Sequence, residues 1–241
     1  MHIPPILHPW PKTPAAAIRL QQRLAGRLIA LGEMRACPLV AGADLAFSHD
    51  GTTCIAGVVV WDVGARCIIE RSFSERPVRF PYVPGLLTFR EAPALLAAIR
   101  KLKSEPDLFI FDGQGYSHPR RFGLACHMGV LIDRCSIGCA KSRLIGTHNE
   151  PKRTFGASTP LMDGGETIGR VLRTRADARP VYVSIGHKIS LNVAQHMVLA
   201  CCAGFRVPEP TRLADHWVSE LRRRSVISRR KSRSETGPTA R

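Results

Sequence analysis

The stretch that most restricts what this chain can become is residues 111–129, FDGQGYSHPRRFGLACHMG. It is entered from an apolar run, Leu108-Phe109-Ile110-Phe111, which reads as a short buried strand opened by Pro106-Asp107. The run ends in a carboxylate, Asp112. Burying that charge is costly unless something pairs with it, and a metal ion is one such partner. Gly113 and Gly115 then let the backbone turn sharply and approach a ligand closely. His118, Arg120, Arg121 and His127 follow within fifteen residues of Asp112. An Asx-type turn leading into a helix accounts for Asp112 equally well. Two further carboxylates at comparable boundaries upstream tip the balance toward the metal.

The first is Asp44, in the strand-like segment 38–47, PLVAGADLAF. A carboxylate in so apolar a strand needs a compensating partner, unless it faces water from a sheet edge. The second is Glu91, which opens a helix expected over 91–103 with Pro93 in its first turn; an acid there ordinarily complements the helix dipole. Just before it, PYVPGLLTFRE places Tyr82 and Val83 between Pro81 and Pro84. That stiffened loop either presents an aromatic ring able to wedge between bases or anchors a core tyrosine.

The rest of the chain reads as a mixed α/β domain. Residues 14–34 have leucines at helical spacing, with Arg19, Arg23 and Arg27 on a neighbouring face. Segments 38–47, 54–62 and 67–76, broken at His49-Asp50-Gly51 and Val63-Gly64, fit an antiparallel meander. A helix around 124–132 is followed by a strand over 135–145 that contains Lys141. Two more strands are expected at 165–174 and 181–186, and a helix over 190–203 stops at Gly204. Thr211 caps a last helix carrying Asp215 and His216. The expected organisation is one catalytic domain over 1–224 and a basic tail over 225–241, too poor in apolar residues to pack and so disordered.

Charge narrows the partner. The 241 residues carry 35 Lys+Arg against 19 Asp+Glu, a net +16, and eight basic residues and one acid fall within 222–241. The body is therefore basic as well, which suits an acidic polymer, nucleic acid above all, although basic charge also serves solubility. The 8 cysteines include no CxxC pair and read as free thiols in a reducing compartment. No apolar run reaches the ~18 residues of a membrane span, and the start lacks the order of a secretory signal. The expectation is a cytoplasmic monomer without a membrane partner.

In order, GADLAF, PYVPGLLTFRE, DGQGYSHPRRFGLACHMG, IGCAKSRL and VSIGHKISL closely resemble endonuclease V, the deoxyinosine-directed repair nuclease, with PEPTRLADH as its last motif. The resemblance runs from about Leu39 to Trp217. It implies a ribonuclease H-like fold, a mixed central sheet with helices on both sides. It also implies that Asp44 and Asp112 bind a metal, Mg²⁺ with Mn²⁺ able to substitute, and that Glu91 completes the acidic site. Tyr82, in its Pro81–Pro84 setting, would act in a strand-separating wedge. Gly85 and Gly113, together with Gly115 and His118, would shape a pocket for a flipped base, and Lys141 and His216 would lie near the scissile phosphate. The implied reaction is a nick at the second phosphodiester bond 3′ to deoxyinosine, in repair of deaminated adenine. Arg134-Cys135-Ser136 departs from the more usual proline-containing approach to IGxAK, and the basic tail is outside the common pattern. An inosine-RNA-directed ribonuclease, a junction resolvase of the same fold and a non-catalytic RNA-binding protein remain as alternatives.

Overall fold

The structure, a computed structural model, describes residues 1–32 and 38–235, with side chains to 224. Its centre is a sheet of eight strands in the order β3-β2-β1-β4-β5-β8-β7-β6. Strands β1 (Leu39–Phe47), β2 (Thr53–Asp62) and β3 (Cys67–Pro77) form the expected antiparallel meander. Strands β4 (Leu108–Phe111) and β5 (Cys135–Ala140) run parallel to β1. Strands β6 (Ser158–Asp163), β7 (Glu166–Leu172) and β8 (Val181–His187) extend the sheet antiparallel on the far side of β5. A mixed central sheet flanked by helices is thus what the chain forms, as the resemblance implies.

The pleat sorts the side chains between two faces. Ala41, Ala43, Cys54, Ala56, Val58 and Val60 point to one face, where α2 (Leu87–Ile99) and α3 (Leu124–Ile132) close a core around Phe109 and Phe111. Outside them, α1 (Pro14–Ala25) covers a smaller cluster containing Phe80, Phe89 and Phe122. Val40, Leu108, Ile110 and Ile137 point the other way, under α4 (Leu191–Ala200), with α5 (Glu209–Glu235) lying across β1 and β2. Upstream of α1, His8 Nε2 meets His127 Nε2 at 2.9 Å in the interior and ties the first residues to α3.

Several element boundaries differ from expectation. α1 ends at Ala25 because Gly26 follows; residues 27–32 leave the helix, and the carbonyls of Ile29 and Gly32 accept from Lys188 and Ser190. α2 begins at Leu87, one turn earlier than expected, so Glu91 lies in its second turn and Pro93 in its interior. β5 stops at Ala140, which leaves Lys141 in the loop beyond the strand. The last helix starts at Glu209, before Thr211. It continues to Glu235 through a segment expected to be disordered. Residues 225–235 hold no proline or glycine, and extending an established helix is cheap once its first half is docked. None of the described cysteines is in a disulfide, and four of them are buried; Cys37 lies outside the described residues. No helix among the described residues is long and apolar enough to cross a membrane.

Candidate active site

Strand register assembles the carboxylates. β1 and β4 run parallel with Ala43 opposite Phe111, so the next residues, Asp44 within β1 and Asp112 just past the end of β4, come side by side. α2 adds Glu91 from one face of the sheet. From the other face, α5 brings Asp215. That helix can settle so close because two strand positions beneath it have no side chain. A methyl group at Gly42 would collide with the Pro210 carbonyl, and one at Gly57, the residue paired with Asp44, would meet Val218 Cγ1 at 2.5 Å. Ala214 and Val218 face the sheet and are buried, and Asp215 is the next residue round the helix.

Lys141 stands among these acids. Its Nζ lies 2.6 Å from Asp112 Oδ2 and 3.4 Å from Asp215 Oδ2. Burial works against its charge, but the two carboxylates outweigh that and raise its pKa. Arg206 fixes the lysine's loop by donating to the carbonyls of Lys141 and Pro180. Gln114 Nε2 holds the same loop through the Ser142 carbonyl at 2.8 Å. Burial, then the charge of Asp112, raises the Asp44 pKa from 3.8 to about 7, against a Leu45 backbone hydrogen bond that lowers it; Asp215 adds to the rise. Burial likewise carries Glu91 from 4.5 to about 7; Arg90 opposes the rise and Asp112 reinforces it. The cluster is short of positive charge.

Of these groups, Glu91, Asp112 and Lys141 open into a cleft of about 380 Å³, which Asp44 and Asp215 do not line. Glu91, Asp112 and Lys141 form one part of its wall, Gly85, Gly113 and His118 another, and Tyr82 and Pro84 its lip. Tyr82 is 68% exposed, so it is not a core anchor; Val83 beside it packs on the α1 cluster, while Pro81 and Pro84 are exposed. The loop turns at Gly85, whose φ of +75° suits glycine, with Pro84 before it and Leu86 N–H returning to the Val83 carbonyl at 2.9 Å. Three donors fasten the Gly85 carbonyl: Arg120 Nη2 at 2.7 Å, His118 Nε2 at 2.9 Å and Gln21 Nε2 at 3.1 Å. His118 Nδ1 accepts the Arg120 N–H at 3.2 Å, so the ring is neutral with its proton on Nε2. Burial holds its pKa down at about 4 despite the Gly85 hydrogen bond.

Two expected site residues are placed elsewhere. Gly115 does not line the cleft: its N–H donates to Ser184 Oγ at 2.9 Å, and its α-carbon abuts the Ile185 carbonyl. A spare amide for a base edge is therefore not available there. His216 is exposed and lines a separate basic hollow with Arg71, Arg212, Arg223 and Arg224, because it lies half a turn round α5 from the buried positions. Sequence reading missed Asp215, whose position beside Lys141 is the one His216 was expected to fill, and Leu144, 44% exposed at the cleft.

The donor set fits a divalent cation. Four carboxylates supply hard oxygen ligands, and the Lys141 ammonium already stands in as a cation between two of them. As they stand, no three His, Cys, Asp or Glu side chains among the described residues are close enough to grip an ion, so the carboxylates would have to close in around one.

Comparison with known proteins agrees with this geometry. A family model described as Endonuclease V matches residues 22–216. An endonuclease V from Trichormus variabilis is 47% identical over 213 residues, 88% of this chain and 96% of the relative. The crystal structure of the Bacillus subtilis endonuclease V superposes with a TM-score of 0.90 at 32% identity, covering 95% of this chain and 100% of that one. That of the Ciona intestinalis enzyme, in complex with a 23mer DNA containing an inosine followed by a ribo-adenosine, superposes with a TM-score of 0.79 at 26% identity, covering 87% and 97%.

Proposed function

This chain belongs to the endonuclease V family of ribonuclease H-like nucleases, and on that premise we propose that it is a Mg²⁺-dependent endonuclease that nicks DNA at the second phosphodiester bond 3′ to deoxyinosine. The observation that carries the reading is the carboxylate cluster around Lys141 opening into a cleft with an exposed tyrosine at its lip. Asp44, Asp112 and Glu91 would hold the cation, with Asp215 joining them in the place expected of His216. When bound, such an ion supplies Lewis acidity for a phosphodiester and a lowered pKa for an attacking water.

The chain's own residues then divide the work. A cation held by the carboxylates would take over the charge that Lys141 now balances at Asp112 and Asp215, and the freed ammonium would turn to the anionic phosphate. Tyr82 fills the gap left in the stack by the departing base, on a loop held by the clamp at Gly85. The base enters between Gly85, Gly113 and His118. A weakly paired base costs less to unstack, which adds selectivity before any contact is made. His216 and the arginines beside it belong to the phosphate-backbone path, not to the chemistry. Nucleic acid carrying inosine is the partner, and the protein acts as a monomeric single catalytic domain over 1–224 in the cytoplasm.

The test is a nicking assay on inosine-containing and plain oligonucleotides, both DNA and RNA, with Mg²⁺, with Mn²⁺ and with chelator. The expected result is one cut, inosine-dependent and cation-dependent, in DNA. The RNA arms are included because the Ciona complex holds a ribonucleotide next to its inosine. Cleavage of plain duplex at the same rate, or cleavage in chelator, refutes the proposal.

A further inference from the structure

Across α2 from the cleft lies a second concavity of about 560 Å³, within the size range of ligand-binding pockets. Helix geometry keeps the two apart. Leu87, Thr88 and Glu91 line the cleft, whereas Pro93, Ala97 and Arg100 line the groove and lie about half a turn away from Glu91. A ligand in the groove has the helix between it and the reacting phosphate.

Two features of the groove point to its occupant. Its floor is apolar, built from Trp10, Phe80, Phe89 and Leu96. Its rim carries Lys12, Arg76, Arg79 and Arg100, all exposed, and no carboxylate lines it. None of those four cations enters an ion pair among the described residues. A phosphodiester backbone would use the rim and gain nothing from the floor. An acidic peptide with apolar side chains would use both.

We propose that this groove docks an acidic, apolar-ended peptide segment of a partner protein while the cleft remains free for nucleic acid. Complementary charge steers the segment in, and the buried apolar side chains hold it.

Fluorescence anisotropy on the full chain tests this with a labelled peptide of four aspartates followed by Leu-Trp-Phe. Two control peptides replace the apolar end by three serines or the aspartates by lysines. Saturable binding of the first peptide is expected, with each control at least tenfold weaker. The double variant Arg79→Glu/Arg100→Glu, at exposed positions, should weaken the peptide at least tenfold and leave inosine-dependent nicking within twofold of the parent. Absence of saturable binding overturns the proposal. So does equal binding of the serine control, which would mean bulk charge attraction alone and uses only the unaltered protein. A double variant that keeps the peptide but loses nucleic-acid binding assigns the groove to the DNA path and overturns it as well.

Discussion

The shortage of positive charge in the acidic cluster makes a thermodynamic prediction that needs no substrate. In the folded protein Asp44 holds its proton up to about pH 7, against 3.8 ordinarily, because burial and then the charge of Asp112 disfavour the anion. Folding is therefore favoured by this group below about pH 4, and that advantage is lost as the pH rises to 7. By pH 8 the full penalty is present. The rise from 3.8 to about 7 corresponds to about 4 kcal/mol at 1.36 kcal/mol per pH unit. Asp44 is only partly buried, so water screens part of it, leaving on the order of 1–2 kcal/mol. Asp44→Asn removes the charge with little change of shape, so at pH 8 in chelator it should melt about 2–8 °C above the parent, at ~2–4 °C per kcal/mol for a chain of this size. At pH 4.5 the two proteins should melt together within about 2 °C. Comparing variant with parent at each pH isolates Asp44 from His8 and His127, whose pKa values burial lowers and whose effect on stability runs the other way. Added Mg²⁺ should raise the melting temperature of the parent at pH 8 and move the variant less. A variant that melts below its parent at pH 8 in chelator would show that Asp44 is satisfied without a cation, and the reasoning fails.

Four more outcomes are expected. Asp44→Asn and Asp112→Asn should each abolish nicking while retaining binding to inosine DNA in gel shifts; joint loss of binding in a folded protein counts against a metal role. Tyr82→Ala should weaken lesion binding roughly 10- to 100-fold, the equivalent of the roughly 1–3 kcal/mol of base–aromatic stacking, with an unchanged melting temperature, since the ring is 68% exposed. Gly85→Ala forces a side chain to φ +75° beside Arg120 and should cost about 1–2 kcal/mol by denaturant titration, with lesion discrimination falling further than stability alone explains. Truncation after Arg224 removes five of the eight basic residues in 222–241. It should flatten the salt dependence of binding by a few log units per decade, at ~0.9 per phosphate contact, without altering inosine preference; equal slopes would remove the tail from the binding surface.

What could be read ahead of the structure follows how each element is stabilised. β1, β2 and β4 are buried on both faces, so their apolar runs and flanking turns marked them plainly. β6, with proline in its middle and one buried residue out of six, is an edge strand held by its neighbour, and nothing in its own composition announces it. The start of α2 was misplaced because its N-cap, Leu86, makes no side-chain capping bond. The proline that suggested a first turn sits inside the helix, facing the groove. The proposed base pocket was half legible for a related reason. Gly113 and Gly115 look alike in sequence, yet Gly113 borders the cleft while Gly115 lets the backbone press against β8.

Asp215 is the residue whose signal was present but unused. PEPTRLADH offers two adjacent candidates, Asp215 and His216, and helical periodicity alone cannot say which of them faces the sheet. The strands can. Gly42 and Gly57 lie on the same face of the sheet as Asp44, one two residues before it and the other paired with it across the ladder. Two bare positions beside an acid mean that a helix backbone lies directly on that face, since an open hollow there would sacrifice close packing. The helix must then turn small residues toward the glycines. Ala214 is the one small apolar residue in that stretch, and Val218, four residues on, shares its face. With that phase set, the residue after Ala214 points toward Lys141 and Asp112 at the end of β4, and the residue after that points to solvent. The fourth carboxylate of the site is thus fixed by two glycines more than a hundred and fifty residues away from it.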